Sequence, residues 1–154
     1  MRVKGQQIVP APRQKVWLAL LDPGVLAQTL PGCESLDPIG ENQYRMRMKL
    51  AISSVQGLFD ATVHLKDPQP PTGYRLEIDG QGKIGFLKGG GTFKLEPEGE
   101  TATIVHYEGD VHVGGMIAGV GQRLMDMTAK MMIKRFFSAF SQVLADTRSA
   151  GETA

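Results

Sequence analysis

Four glycines precede a helical pattern in "GGMIAGVGQRLMDMTAK", Gly114 to Lys130. Loops of this kind can cradle phosphate with backbone N–H groups. A dinucleotide fingerprint needs G-x-G-x-x-G between a strand and a helix, followed by a parallel strand. Gly119 and Gly121 supply the first pair, but Leu124 occupies the third position and no strand pattern follows. "KGGGTF", from Lys88, lacks the Gly-Lys-Ser/Thr ending and runs into a strand. These glycines therefore read as turn and spacing residues. His106 and His112 share a strand face with Glu108 and Asp110, which raises a metal site. Six residues of strand separate the two rings by about 20 Å, too far for one ion. His64 also falls on a polar strand face, and no metal site is expected. Cys33 has no sequence-local group to lower its pKa. Arg45, Arg47 and Lys49 form a solvated basic ridge, and no serine or carboxylate pair has a catalytic setting. No catalytic residue is assigned.

The elements that would position any site follow from periodicity. Val3 to Val9 predicts a strand, stopped by Pro10 and Pro12. "PRQKVWLALL" predicts a helix with Pro12 in its first turn, burying Val16, Trp17, Leu20 and Leu21. Asp22-Pro23-Gly24 breaks it before a second short helix, "VLAQTL", and the turn Pro31-Gly32. "YRMRMKLAI" alternates strictly, with Tyr44, Met46, Met48, Leu50 and Ile52 on one face. "VQGLFDATVHL" alternates too, and Ser53-Ser54 joins the two as a hairpin. "YRLEIDGQG", "GGGTFKLE" and "TATIVHYEGDVHV" complete an antiparallel sheet with one dry face. A final helix is expected from Ile117 to about Ala145, carrying an apolar stripe of Ala118, Gly121, Met125, Ala129, Met132, Phe136, Phe140 and Val143. Arg123, Lys130 and Lys134 lie opposite. Only this helix is large enough to cover a curved sheet. The expected class is α+β, a helix-grip arrangement: one domain over residues 1–146 and a disordered polar tail over 147–154.

Bulk properties narrow the function classes. A chain of 154 residues can bury a core of its own without metals or disulfides. A net charge of +1 gives no reason to expect nucleic acid as a partner. One cysteine, no signal-peptide pattern and no apolar run of about 20 residues predict a cytoplasmic protein. The dry faces are unusual in mixing methionine with very small residues: Gly57, Ala61, Gly80, Gly82, Gly109, Gly121 and Ala129. Small residues leave volume unfilled, and methionine makes adaptable walls. Together they predict an apolar cavity between sheet and helix. Its expected lining is Met46, Met48, Gly57, Phe59, Ala61, Leu76, Tyr107, Met125, Ala129, Met132 and Phe136, gated by Leu30, Pro31 and Gly32. Tyr44, Tyr74, Tyr107 and Gln7 are the polar groups that an enzyme in the same cavity would have to use.

The sequence resembles a known family. "VWLALLDPGVLAQTLPGCESL" and "YEGDVHVGGMIAGVGQRLMDMTAK" are similar to the CoxG family of carbon monoxide dehydrogenase subunits, within the START-like, or SRPBCC, superfamily. The matching positions are Val16, Trp17, Asp22, Pro23, Leu30, Pro31 and Gly32, then Gly57, Tyr107, Gly114, Gly115, Gly121, Gln122, Arg123 and Leu124. The resemblance runs from Met1 to about Ala145. It implies a helix-grip, ligand-binding domain without catalytic residues, accessory to a molybdenum hydroxylase of the carbon monoxide dehydrogenase type. It further implies a hydrophobic ligand such as a respiratory quinone or lipid, held without a tightly bound cofactor. Peripheral contact with the inner face of the membrane is also implied. Some members carry a longer C-terminal extension than the "TRSAGETA" seen here. The rival readings are an enzyme of the same fold, cyclase- or hydrolase-like, and an assembly or membrane-recruitment factor working through its surface.

Overall fold

A computed structural model describes the chain in full through Asp146 and bounds its last helix at Thr153. The polar tail expected over 147–154 lies outside the described residues. Strand β1 (Arg2–Val9) leads into helix α1 (Arg13–Leu20), which buries Val16, Trp17, Ala19 and Leu20. Helix α2 (Pro23–Thr29) follows with proline in its first turn. The Asp22 carboxylate accepts from the N–H groups of Gly24 at 2.9 Å and Val25 at 3.4 Å, bonding donors that the first turn leaves free. The hydroxyl of buried Thr103 donates to the Ala11 carbonyl at 2.8 Å, tying the link after β1 to the sheet.

Six further strands complete the sheet: β2 (Cys33–Gly40), β3 (Gln43–Ile52), β4 (Val55–Gln69), β5 (Gly73–Gly82), β6 (Gly85–Glu98) and β7 (Ala102–Gly114). The order across the sheet is β1-β7-β6-β5-β4-β3-β2, and every pairing is antiparallel. Ile52 pairs with Val55 across the serine turn, the hairpin that the alternation required. Strand β2 is the element that periodicity does not announce. "CESLDPIG" contains a proline and does not alternate, and its register against β3 shifts between Cys33 and Ser35 and again between Pro38 and Gly40. Such a segment is tolerated at a sheet edge, where one side of the ladder needs no partner.

Strands β6 and β7 pair through glycine. Gly91 lies opposite Gly109, and Gly89 lies opposite Val111. A Cβ on Gly89 or Gly91 would run into the backbone carbonyl oxygen of Asp110 or Glu108. Side chains there would force the strands apart, so glycine permits this close pairing.

The C-terminal helix begins later than its periodicity suggests. Met116–Val120 forms a 3₁₀ turn, Gly121 follows at φ 98°, and α3 (Gln122–Thr153) starts only then. Ala118 and Gly121 therefore do not belong to its apolar stripe; Gly121 is exposed and serves the turn. From Met125 onward the stripe holds, with Phe136 and Phe140 buried. Phe137 and Leu144 are buried beside it, which widens the apolar face. Arg123, Lys130 and Lys134 are exposed.

Two separate core clusters result among the described residues. The larger joins α1, α3 and the β1, β5, β6 and β7 strands around Phe140, with Trp17, Tyr74, Val105 and Phe137 among its members. The smaller gathers Phe59, Ile84 and Ile117 under the 3₁₀ turn. Neither fills the middle of the sheet, where the small residues lie.

Candidate ligand cavity

Between sheet and helix lies a cavity of about 470 Å³. That is the size of a small-molecule pocket, far above the void of a packed core. Inward residues of the central strands form its back wall: Met46, Met48, Phe59, Ala61 and Leu76, with Tyr107 from β7. Met125, Ala129, Met132 and Phe136 cover it from α3. Ala61 pairs with Gly80, and Leu76 pairs with Gly91, which itself pairs with Gly109. Apart from Leu76 these positions carry almost no side-chain volume, and the open space lies against them. Gly5 contributes differently: a Cβ there would overlap the Tyr107 ring, so glycine on β1 lets that ring lie over its neighbouring strand.

Several expected positions fall elsewhere. Gly57 is not on the wall, because Ile84 covers it; a Cβ there would stand 3.0 Å from Ile84 Cγ2. Gly82 and Gly121 are exposed and border no cavity space, nor does Gln7. Leu30 and Pro31 line the cavity beside α2, whereas Gly32 does not. Gly32 adopts φ 77° with its α-carbon against the Lys49 carbonyl, holding the turn close to β3. The structure also adds wall residues that the sequence pattern did not single out. Leu26 of α2 carried an apolar signal in "VLAQTL", but Leu36 had none, because its strand does not alternate. Phe137 and Ile133 on α3 also face the cavity, flanking the stripe assigned to it.

The electrostatics are simple. Among the described residues no lysine, arginine or histidine side chain lines the wall. Tyr44, Tyr74, Tyr107, Thr92, Thr128 and Glu108 are its polar members. The carboxylate of Glu108 is paired with Arg2, whose hydrogen bond and charge hold its pKa below the usual range with help from Lys4. Tyr74 is 6% exposed, and burial drives its phenol far above the ordinary tyrosine value, with Tyr44 adding to the shift. The phenol is a permanent donor at any ordinary pH. Cys33 does not reach the cavity; burial raises its thiol pKa, and Sγ donates to the Ser35 carbonyl at 3.5 Å.

The histidines are set apart from this space. His106 contacts Glu96 at 2.7 Å on the outer face, and His112 is exposed. Among the described residues no cluster of His, Cys, Asp or Glu could hold a metal.

The family model for CoxG, a carbon monoxide dehydrogenase subunit, matches residues 5–145. The chain belongs to the CoxG family. A conserved protein from Geobacillus kaustophilus has the same fold at TM-score 0.91, with 32% identity over 96% of this chain and 97% of that one. A START superfamily protein from Mycobacterium smegmatis superposes at TM-score 0.73, with 16% identity over 95% of this chain and 98% of that one. The Zhui aromatase/cyclase from Streptomyces sp. R1128 reaches TM-score 0.65 at 13% identity, covering 94% and 93%. At such identities the last two establish the START-like fold alone. No curated protein matches the chain. The fold is thus the helix-grip fold, and the CoxG chain places its cavity where the sheet wraps α3.

Proposed function

We propose that this CoxG-family protein is a non-enzymatic, cytoplasmic carrier of one hydrophobic small molecule, with a respiratory quinone as the first candidate. The observation that carries the reading is the cavity of about 470 Å³, closed on one side by the glycine-rich sheet and on the other by methionines of α3. Affinity would come from burial, at roughly 25 cal/mol per Å² of apolar surface. Leu30 and Pro31 stand where α2 meets the cavity and would gate access. The family's name supports service to a carbon monoxide dehydrogenase-type molybdenum hydroxylase. Weak contact with anionic membrane is supported by α3, where exposed Leu124, Met127 and Met131 accompany Arg123, Lys130 and Lys134. No helix among the described residues is long and apolar enough to cross a membrane. Purified protein extracted with organic solvent should release one dominant apolar compound, read by mass spectrometry. An extract free of any such compound, together with no uptake of added hydrophobic probes, would overturn the carrier reading.

The rival reading is an enzyme of the same fold. It draws on the phenols in the cavity and on structural similarity to an aromatase/cyclase. Conversion of a bound carbonyl compound into a new product would favour it over carriage.

A further inference from the structure

The most deeply buried phenol of the cavity has no hydrogen-bond partner in the protein. The Tyr74 ring is held edge-on to Trp17, with centroids 5.7 Å apart, and is tilted against Phe93 at 5.5 Å. Beside these rings the Tyr44 phenol acts on it electrostatically, and no protein group bonds its hydroxyl. Among the described residues no side-chain oxygen is sealed from solvent without a partner. The Tyr74 hydroxyl therefore borders open space, and the space that Tyr74 borders is the cavity. A ligand that fills the cavity shields this hydroxyl from water and leaves it unpaired unless it offers an acceptor, so a suitable ligand gains by satisfying it.

We infer that Tyr74 is the polar anchor of the ligand, donating a hydrogen bond to a neutral carbonyl oxygen on an otherwise apolar molecule. This rests on the carrier reading of the same cavity and adds the chemistry of its head group. The acceptor must be neutral because no lysine, arginine or histidine side chain among the described residues lines the wall to balance a carboxylate or phosphate. The amine of Met1, a cation nearby, is already held by the Val111 carbonyl at 2.7 Å and the Asp110 carboxylate at 3.6 Å. A buried, un-ionised phenol keeps a proton to give, and a carbonyl oxygen takes it without bringing a second donor into an apolar cavity. A plain hydrocarbon would leave it unpaired. The geometry also gives a direction. Tyr74 pairs with Phe93 and lies against Trp17 of α1, while the next row across the sheet is Leu76, Gly91 and Gly109. The carbonyl head sits at the α1 end and the tail runs into the glycine hollow.

The test compares 2-dodecanone, dodecane and dodecanoate as displacers of the neutral dye Nile red, in the parent protein and in Tyr74→Phe. The variant should bind 2-dodecanone roughly 3- to 10-fold more weakly, the loss expected for one hydrogen bond, and bind dodecane as well as the parent or better. Dodecanoate should compete worst with both proteins. In the parent the C=O stretch of bound 2-dodecanone should fall below its value in hexane, in Tyr44→Phe as well, and return in Tyr74→Phe. Equal binding of the ketone by parent and variant, or an unshifted carbonyl in the parent, overturns the anchor while leaving the cavity intact. Failure of all three compounds and the dye to enter the parent would overturn the carrier reading itself, and the anchor with it. Should Tyr74→Phe not fold, the carbonyl stretch in the parent and in Tyr44→Phe decides alone.

Discussion

Tyr74 links a single residue to the pH dependence of the whole chain. Burial raises its folded-state pKa well above the roughly 10 of an unfolded tyrosine. An unfolded chain loses this proton near pH 10 while the folded chain keeps it. The stabilisation is thus fully present below pH about 10 and falls away as pH rises beyond it toward the folded value. Melting temperature should decline more steeply above pH about 10 in the parent than in Tyr74→Phe. An identical decline in both would assign the alkaline loss to other groups. Cys33 gives the opposite kind of expectation. Its thiol is raised in pKa, donates to the Ser35 carbonyl and lies off the cavity wall. Cys33→Ser should therefore keep ligand binding within a few-fold; abolished binding in a folded Cys33→Ser protein would contradict this.

At the scale of elements, α3 has two duties that change along its length. From Phe136 to Leu144 it packs into the larger core, with Phe140 wholly buried. From Met125 to Met132 it spans open volume, which Phe136 and Phe137 also border. Ala129 lies in that second stretch and is the residue whose enlargement separates wall from core. Overpacking a filled core costs about 1–3 kcal/mol. At this chain length that lowers the melting temperature by about 2–4 °C per kcal/mol. In the cavity a phenyl ring has room, so Ala129→Phe should hold or raise the melting temperature while excluding the ligand. A thermal melt paired with a Nile red titration reads both. A sharp drop in melting temperature would mean that the space beneath Ala129 is already filled. Phe140→Ala, by contrast, should cost about 3–5 kcal/mol, as for a buried aromatic ring.

For the whole molecule, α3 is where a ligand of the cavity would be exchanged under the proposed carrier function. Leu124, Met127 and Met131 are exposed on α3, close in sequence to the cavity-lining Met125, Ala129 and Met132. Arg123, Lys130 and Lys134 lie on the same stretch of helix. Such a surface should touch anionic lipid weakly, each cation adding about 1 kcal/mol at low salt. Sedimentation with phosphatidylserine-containing vesicles should show weak binding that fades as salt rises. Lys130→Gln combined with Lys134→Gln should weaken it and flatten its salt dependence. Tight binding to neutral phosphatidylcholine vesicles, unchanged by salt or by these substitutions, would rule out the electrostatic contact.

Side-chain periodicity is a local property, and what it reports was legible in the sequence. Strict alternation from Tyr44 to Ile52 determined a strand with Met46 and Met48 inward, because successive side chains point to opposite faces. Three- and four-residue spacing placed Met125, Ala129, Met132 and Phe136 on one helix face by the same logic. Wherever backbone context overrides that local pattern, tertiary structure decided. Strand β2 exists because β3 offers an edge to an irregular segment containing Pro38. The helix yields its first turn to a 3₁₀ segment capped by Gly121. Gly57 drops off the wall because Ile84, far along the chain on the approach to β6, folds over it. Small residues in the sequence foretold that space would be left over. Only the pairing of β6 with β7 and β5 determined that the space runs past Gly91 and Gly109 and meets the buried phenol of Tyr74, since no local pattern encodes what a distant strand leaves unfilled.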